Sequence, residues 1–285
     1  MKKILVTGAN GQLGRCIKDA SAEFPELDFF FVSKEELDIE KVALLKDFFS
    51  KNAFDYCINT AAYTNVEKAE SEQEKAFAIN AEAVKNLAEV CNVSDVTLFH
   101  ISTDYVFDGK KKSPYLETDF TNPINVYGAS KLKGEEYIQK TCEKYFIFRT
   151  SWLYSQYGHN FLKTILKYSE NDKPLTITTE QTGTPTNAND LANVLLQLIV
   201  HDSTDYGVYH YSNKGETTWF GFAEEILLQT EKLKEAKLAK TNHYRTFAAR
   251  PAFSVLDNTK ALNRLKLKQI DWRESLQSVL KNKRH

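Results

Sequence analysis

Short apolar runs alternate along the first half of the chain with segments whose apolar residues recur every three or four positions. The short runs predict strands at residues 3–7, 29–33, 56–60, 97–102 and 145–150. The periodic segments predict helices at residues 13–24, 42–49, 71–91 and 125–142. Ser71 and Glu74 have the spacing of a capping box at the start of the third helix. Apolar strands alternating with helices predict an α/β fold, here a doubly wound parallel sheet with helices on both faces.

The regular alternation of short apolar runs with periodic segments ends after Thr150. The rest of the chain has more turn residues, and its periodic segments predict helices at residues 160–169, 187–200, 219–232 and 272–281. We therefore expect residues 1–150 to form one domain and residues 151–285 a smaller C-terminal α/β part, with some of that chain returning to the sheet. Ligands of doubly wound sheets bind at the carboxyl ends of the strands, so a cleft is expected there between the two parts.

The composition is that of an average globular protein. The 285 residues are 42% hydrophobic and 26% charged, and the mean hydropathy is −0.44. The 37 basic and 38 acidic residues leave a net charge of −1, so neither nucleic acid nor an anionic membrane surface is expected as a partner. No apolar run approaches the roughly 18 residues that a membrane-spanning helix needs.

Cysteine and histidine usage indicates neither a disulfide framework nor a zinc site. The four cysteines (Cys16, Cys57, Cys91 and Cys142) lie far apart in the sequence, and the six histidines include no close pair. The apolar run near the N-terminus is too short for a signal peptide. We therefore expect reduced thiols and a cytoplasmic location.

A glycine-rich turn joins the first predicted strand to the first helix. Gly8 and Gly11 permit a tight turn close to a pyrophosphate, and Gly14 lets the helix pack near the strand. The helix that starts at Gln12 and Leu13 offers free N–H groups to phosphate oxygens. This position between strand and helix predicts dinucleotide binding in a Rossmann-like domain over residues 1–150.

The second strand ends without the acid that NAD-selective sites place there. Ser33 and Lys34 stand at that point, and Glu35 and Glu36 follow. Together with Arg15, Ser33 and Lys34 favour a 2′-phosphate and hence NADPH, with NADH left open as an accepted cofactor. Lys34 and Arg15 are equally well read as ordinary solvated charges.

Three residues suited to acid–base chemistry follow the fourth strand. Thr103 lies at its carboxyl end, and Tyr127 and Lys131 share one face of the next helix. A free tyrosine has a pKa of about 10, so a nearby ammonium is needed to make it an effective proton carrier near neutral pH. We expect Lys131 to lower the pKa of Tyr127 and Thr103 to orient the reacting oxygen.

The glycine turn, Thr103 and the Tyr127-x-x-x-Lys131 pair together resemble the extended short-chain dehydrogenase/reductase family. Further matching segments are Ala61-Ala62-Tyr63-Thr64, Ser102-Thr103-Asp104-Tyr105-Val106-Phe107, Phe148-Arg149-Thr150-Ser151-Trp152 and Ala249-Arg250-Pro251. The family acts mostly on nucleotide-linked sugars. The resemblance implies reduction of the C4 ketone of a dTDP-6-deoxyhexose, with a hydride from NAD(P)H and a proton from Tyr127.

The resemblance also assigns expected contacts. The cofactor would meet the glycine turn with Gln12 and Leu13, then Ser33, Asp38, Ile39, Ala61, Ala62, Tyr63, Tyr127 and Lys131. The substrate would meet Thr103, Asp104, Trp152, Asn160 and Arg250. Asn80 is given only a structural or relay role.

Several alternatives stay open. An epimerase or another nucleotide-sugar reductase would share the same turn and Tyr/Lys pair, and a non-catalytic NADP-binding regulatory subunit would share the fold. A dehydratase is disfavoured, because Tyr105 stands where that reaction needs a second carboxylate. Asp190 lies where relatives carry an acid linked to magnesium at a subunit contact, which leaves a homodimer and a magnesium ion as open questions.

Overall fold

The structure, a computed structural model, describes residues 1–170, 174–242 and 245–282. Its strands are β1 (Lys2–Thr7), β2 (Leu27–Val32), β3 (Tyr56–Asn59), β4 (Thr97–Thr103), β5 (Tyr145–Thr150), β6 (Leu153–Tyr154), β7 (Leu175–Thr178), β8 (Thr182–Gly183), β9 (Thr186–Asn187), β10 (Gly207–His210), β11 (Thr217–Thr218) and β12 (Leu238–Thr241). Its helices are α1 (Gln12–Ala20), α2 (Val42–Lys51), α3 (Val66–Ala69), α4 (Gln73–Phe77), α5 (Ala83–Val93), α6 (Val126–Thr141), α7 (Phe161–Glu170), α8 (Ala188–Val200), α9 (Trp219–Gln229), α10 (Thr259–Arg264) and α11 (Trp272–Asn282).

The predicted strands and helices are present, with their ends shifted by a few residues. The helix expected over 71–91 consists of α4, a π-helical stretch (Ala78–Glu82) and α5. The capping box predicted at its start is wrong. Glu72 occupies the N-cap position, and the Ser71 hydroxyl instead donates to the Lys68 carbonyl at the end of α3, at 3.1 Å.

The predicted α/β fold is confirmed by a six-stranded parallel sheet in the described part of the chain, in the order β10-β5-β4-β3-β1-β2. Strand β10 was not predicted; it adds residues from beyond Thr150 to the edge of the sheet. The strand order changes direction between β1 and β3, so the carboxyl ends of these two strands flank the topological switch point. Doubly wound sheets bind their ligands at such a point.

Both faces of the sheet are covered. In β1, Ile4 and Val6 point into a core shared with α1 and α8, and Leu5 points into a second core shared with α2 and α5. All three side chains have no exposed surface. This burial on both faces explains why the apolar residues of the strands form nearly continuous runs rather than alternating with polar ones.

The C-terminal part has its own core between α7, α9 and α11. Leu162, Phe222 and Trp272 are buried in it. Short ladders join β6 to β9, β7 to β12 and β8 to β11. Among the described residues, no helix combines the length and apolarity needed to cross a membrane.

Candidate active site

Three cavities adjoin one another along the carboxyl edge of the sheet. The β2 cavity, of about 290 Å³, is lined by residues that include Ser33, Asp38 and Ile39. The central cavity, of about 420 Å³, is lined by the ends of β3, β4 and β5 and by the start of α6. The outer cavity, of about 450 Å³, lies in the C-terminal part between α7, β7 and Trp219.

Neighbouring cavities share lining residues and are therefore adjacent to one another. Gly11, Ala61 and Ala62 border both the β2 cavity and the central cavity. His159 borders both the central cavity and the outer cavity. Two long ligands could therefore lie end to end across the switch point of the sheet.

The glycine turn brings the backbone of β1 against that of β3. Gly8 has a φ of +66°, and a Cβ placed on it would lie 2.6 Å from the Ala61 nitrogen. A Cβ on Gly14 would lie 2.7 Å from the Gly8 carbonyl oxygen. Both positions therefore require glycine. Gly11 occupies the N-cap position of α1, whose first turn holds no acidic side chain and leaves its N–H groups for an anion.

The charged side chains that the sequence places near Ser33 make contacts with other residues of the protein. The backbone N–H of Ser33 donates to Glu36 at 2.7 Å, and the Lys34 ammonium lies 2.6 Å from Glu40. Arg15 does not border the β2 cavity, because its guanidinium stacks over the Tyr157 ring at 3.9 Å. The expectation that Arg15 stands beside a 2′-phosphate is therefore wrong.

The residues after β3 divide into two groups. Ala61 and Ala62 border two cavities, as expected. Tyr63 borders neither of these cavities: its backbone N–H donates to Asn80 at 2.8 Å and its hydroxyl donates to Glu72 at 3.2 Å. Asn80 also donates to Ser130 on α6 at 3.0 Å, which gives it a structural role between the two segments.

Tyr127 is placed by the start of α6. The Asn125 side chain caps this helix by accepting from the Gly128 N–H at 2.7 Å. A Cβ on Gly128 would lie 2.1 Å from the Tyr105 carbonyl oxygen, so glycine allows α6 to press against the end of β4. The Tyr127 ring meets the Tyr105 ring edge-on, with the ring centroids 6.0 Å apart.

The central cavity holds Tyr127 and Lys131 together with Thr103, as the sequence predicted. The direction of the Tyr127 pKa differs from the expectation. Removal from water raises the pKa of Tyr127 to about 12, against a smaller lowering by the Thr103 hydroxyl. Burial also lowers the pKa of Lys131 itself to about 8, and the Lys131 Nζ lies 3.3 Å from His100 Nε2.

Asp104 and Trp152 also border the central cavity. Asp104 Oδ1 accepts from Thr103 at 3.0 Å, and among the described residues Oδ2 has no hydrogen-bond partner. Burial raises the pKa of Asp104 to about 7, and hydrogen bonding from Ser254 and Thr103 offsets this only in part. Trp152 has a φ of +45° and stacks on Trp219, with ring centroids 3.7 Å apart.

Asn160 and Arg250 border the outer cavity, as expected for substrate contacts. The Asn160 amide nitrogen donates to the carbonyls of Ser155 and Tyr157, both at 2.9 Å, and so stabilises the loop before α7. The Arg250 guanidinium forms an ion pair with Glu67 at 2.8 Å. Glu67 also accepts from backbone N–H groups just before Arg250 and so fixes its loop.

Several lining residues could not be identified from the sequence. His159, Phe161 and Trp219 come from a loop and two helices that only the folded chain brings to the cleft. Asp190 is partly buried in α8, where it accepts from Asn213 at 2.7 Å and from Ser275. Among residues 1–170, 174–242 and 245–282, no group of three or more His, Cys, Asp or Glu side chains is arranged to hold a metal ion.

Comparison with known proteins agrees with this geometry. The family described as "RmlD substrate binding domain" matches residues 1–285. The dTDP-4-dehydrorhamnose reductase of Aggregatibacter actinomycetemcomitans is 37% identical, over 98% of both chains. The enzyme of the same name from Escherichia coli K12 is 35% identical, over 97% of this chain and 96% of its own.

Solved structures give the same result. The Clostridium acetobutylicum dTDP-4-dehydrorhamnose reductase has a TM-score of 0.94 at 37% identity and matches over 99% of this chain and 100% of its own. The Bacillus anthracis enzyme of that name, solved in complex with NADP, has a TM-score of 0.93 at 35% identity with the same coverage. The resemblance seen in the sequence is therefore confirmed, and the chain belongs to the RmlD family, whose curated relatives include many dTDP-4-dehydrorhamnose reductases.

Proposed function

We propose that the protein is an NADPH-dependent reductase that converts dTDP-4-dehydro-6-deoxy-L-mannose to dTDP-L-rhamnose. The observation that carries this proposal is the central cavity, which lies between the β2 cavity and the outer cavity and is lined by a phenol, a threonine hydroxyl and a buried amine. The names of the relatives and the NADP complex of the Bacillus anthracis enzyme support the same activity.

The β2 cavity and the glycine turn fit a dinucleotide. The space at Gly8 and Gly14 is too small for a Cβ, and the first turn of α1 has N–H groups that suit a pyrophosphate. Ser33, Asp38 and Ile39 would meet the adenosine end, and Ala61, Ala62, Gln12 and Leu13 the middle. When bound, NADPH supplies the hydride that the C4 carbon receives.

Tyr127 is the proposed proton donor to the C4 oxygen. Its raised pKa keeps the phenol protonated at neutral pH, which is the form that ketone reduction consumes. Thr103 borders the same cavity as this phenol, so it is placed to orient the ketone oxygen. Lys131 contributes a buried amine one turn along α6.

The sugar end and the nucleotide end of the substrate are proposed to occupy different cavities. Asp104 and Trp152 border the central cavity and would contact the deoxysugar. Arg250 borders the outer cavity and would pair with the diphosphate, with Asn160 nearby. Trp219, stacked on Trp152, joins the two sites and gives the nucleotide an aromatic surface.

Turnover of NADPH separates this proposal from its alternatives. The purified protein is mixed with NADPH and the 4-keto sugar generated in situ, and NADPH absorbance is followed. We expect stoichiometric loss of NADPH that depends on the ketone. An epimerase would interconvert sugars without net loss of NADPH, and a non-catalytic subunit would bind NADPH without turnover; either result would contradict the proposal.

Ser33→Asp should change cofactor preference towards NADH. A carboxylate at the end of β2 repels a 2′-phosphate and accepts from a ribose 2′-hydroxyl. We expect the ratio of kcat/KM for NADPH to kcat/KM for NADH to fall by about tenfold or more, which corresponds to about 1.4 kcal/mol. Ser50→Asp, at the exposed end of α2, is the matched control. An unchanged ratio would remove Ser33 from the cofactor site.

Asp104→Asn should weaken binding of the nucleotide sugar. The folded protein favours the neutral carboxyl, so as pH falls through about 7 the wild-type side chain loses its charge. If the carboxylate accepts from a sugar hydroxyl, KM for the sugar rises below that pH. In the variant we expect KM to be raised by about tenfold at neutral pH, the scale of one charged hydrogen bond, and to vary less with pH. A KM equal to wild type across this range would exclude the contact.

A further inference from the structure

A row of buried polar side chains lies behind Lys131, across three neighbouring strands. Thr7 pairs with Asn59 in the register of β1 and β3, and Asn59 pairs with His100 in the register of β3 and β4. Thr7 and Asn59 are each 1% exposed and His100 is fully buried. The Thr7 hydroxyl donates to Asn59 Oδ1 at 2.7 Å, Asn59 Nδ2 lies 3.1 Å from His100 Nδ1, and His100 Nε2 lies 3.3 Å from Lys131 Nζ.

The backbone fixes which way the Asn59 amide faces. The N–H of Ala61 donates to Asn59 Oδ1 at 3.2 Å, and a backbone N–H can only donate. The atom that faces His100 is therefore the amide NH₂ group, which donates to Nδ1. A ring nitrogen that accepts carries no proton, so the neutral imidazole has its proton on Nε2.

The Nε2–H group consequently faces the Lys131 side chain. An ammonium group has only donors, whereas a neutral amine has a lone pair that accepts from Nε2–H. Burial, together with the Lys131 charge, holds the pKa of His100 well below its usual range, so the imidazole does not become a second cation here.

The other ionisable groups near Lys131 do not favour its ammonium form strongly enough to outweigh burial. Glu135, one turn along α6, favours the ammonium form, but its carboxylate is held by Arg149 of β5 at 2.7 Å and accepts from Ser102 of β4. Tyr127 precedes Lys131 by one turn and is neutral, because its pKa is raised. Burial therefore outweighs Glu135, in agreement with the lowered pKa of Lys131.

We propose that Asn59 and His100 are positioning residues that set the charge of Lys131: Asn59 fixes the imidazole tautomer, and the resulting Nε2–H disfavours the ammonium form in the ligand-free protein. This inference rests on the proposed function, in which Lys131 acts beside Tyr127. Because Ala61 borders the β2 and central cavities, the same hydrogen-bond chain connects the cofactor site to Lys131. A ligand group that accepts from Nζ would stabilise the ammonium form and so raise the pKa of Lys131.

The substitution Asn59→Asp tests the role of this hydrogen-bond chain. A carboxylate accepts where the amide donated, so the imidazole proton moves to Nδ1 and Nε2 becomes an acceptor for the Lys131 ammonium. We expect the apparent pKa of Lys131 to rise by about one unit or more. It is measured in the pH dependence of the NADPH dissociation constant and of kcat/KM, as the transition that Lys131→Ala lacks.

Thr7→Val is the matched control. It removes the other donor to Asn59 Oδ1 and leaves the Ala61 contact that orients the amide, so the titration of Lys131 should stay at its wild-type pH. Equal shifts of the apparent Lys131 pKa in Asn59→Asp and Thr7→Val, or no shift in Asn59→Asp, would overturn the proposal.

A second measurement uses the unmodified protein, in case Asn59→Asp does not fold. Long-range ¹H–¹⁵N NMR correlations, with the His100 signals assigned by their absence in His100→Gln, should show a neutral ring protonated on Nε2. A proton on Nδ1, or on both nitrogens, at neutral pH would refute the proposal. If the wild type binds NADPH with the predicted titration but does not reduce the sugar, the proposed function fails and the hydrogen-bond chain remains.

Discussion

Replacing Tyr127 by phenylalanine is expected to lower kcat by about a hundredfold to ten-thousandfold, the range typical for loss of a general acid. The phenol is the proposed proton source for the ketone oxygen, and its ring is held edge-on against Tyr105. Phenylalanine retains the ring and its packing, so the affinity for NADPH and the midpoint of thermal unfolding should stay near wild type. Steady-state kinetics and cofactor titration measure the two effects separately.

Tyr105→Phe is the matched control for this experiment. It removes the hydroxyl of the neighbouring ring, which is 8% exposed and has no proposed role in proton transfer. We expect its kcat to remain within a few-fold of wild type. Near-normal turnover by Tyr127→Phe, or an equal loss in Tyr105→Phe, would exclude Tyr127 as the proton donor.

Lys131→Ala is expected to reduce both kcat and cofactor affinity. The amine borders the central cavity, is 2% exposed and lies one turn from Tyr127, where it can contact the bound cofactor and influence the phenol. Loss of a hydrogen bond to a charged group costs about 1.5–3 kcal/mol, so the NADPH dissociation constant should rise by about tenfold to a hundredfold. Fluorescence titration with NADPH measures this directly.

Lys133→Ala controls for the loss of a lysine from α6. Lys133 is on the same helix but is 38% exposed and pairs with Glu136 at the surface. Exposed pairs of this kind contribute little, so neither kcat nor NADPH affinity should change. If Lys131→Ala behaves like Lys133→Ala, Lys131 has no part in the site.

The local parts of the fold and of the candidate site were predictable from the sequence. The turn from Gly8 to Gly14 depends on residues that are close along the chain: a Cβ on Gly11 or Gly14 would come close to the Gly8 carbonyl oxygen. Tyr127 and Lys131 fall on one face of α6 because residues four apart do so in any α-helix. Such short-range rules need no knowledge of the strand order.

The non-local parts could not be predicted in the same way. Asn59 and His100 look like isolated polar residues inside apolar strands, and their contact depends on β3 and β4 being neighbours in a particular register. Strand β10 has four residues and pairs with β5, more than fifty positions earlier. Arg15 was misplaced because a side chain on α1 can point either to the cofactor or, as here, to Tyr157.

The functional division at residue 150 and the cytoplasmic location stay predictions, and the homodimer and the magnesium ion at Asp190 stay open questions. The two hydrogen bonds that Asp190 accepts come from Asn213 and Ser275, both distant in the sequence. They explain why a carboxylate in the first turn of α8 is partly buried, a feature that its position in the helix does not reveal.

Transfer of a labelled hydride tests the central claim most directly. The protein is incubated with NADPH that carries deuterium on the transferable C4 position and with dTDP-4-dehydro-6-deoxy-L-mannose, and the sugar product is examined by NMR. The account predicts dTDP-L-rhamnose with deuterium on sugar C4, formed by wild type and only at a greatly reduced rate by Tyr127→Phe. A product without deuterium at that carbon, a different C4 configuration, or no reduction despite bound NADPH would contradict it.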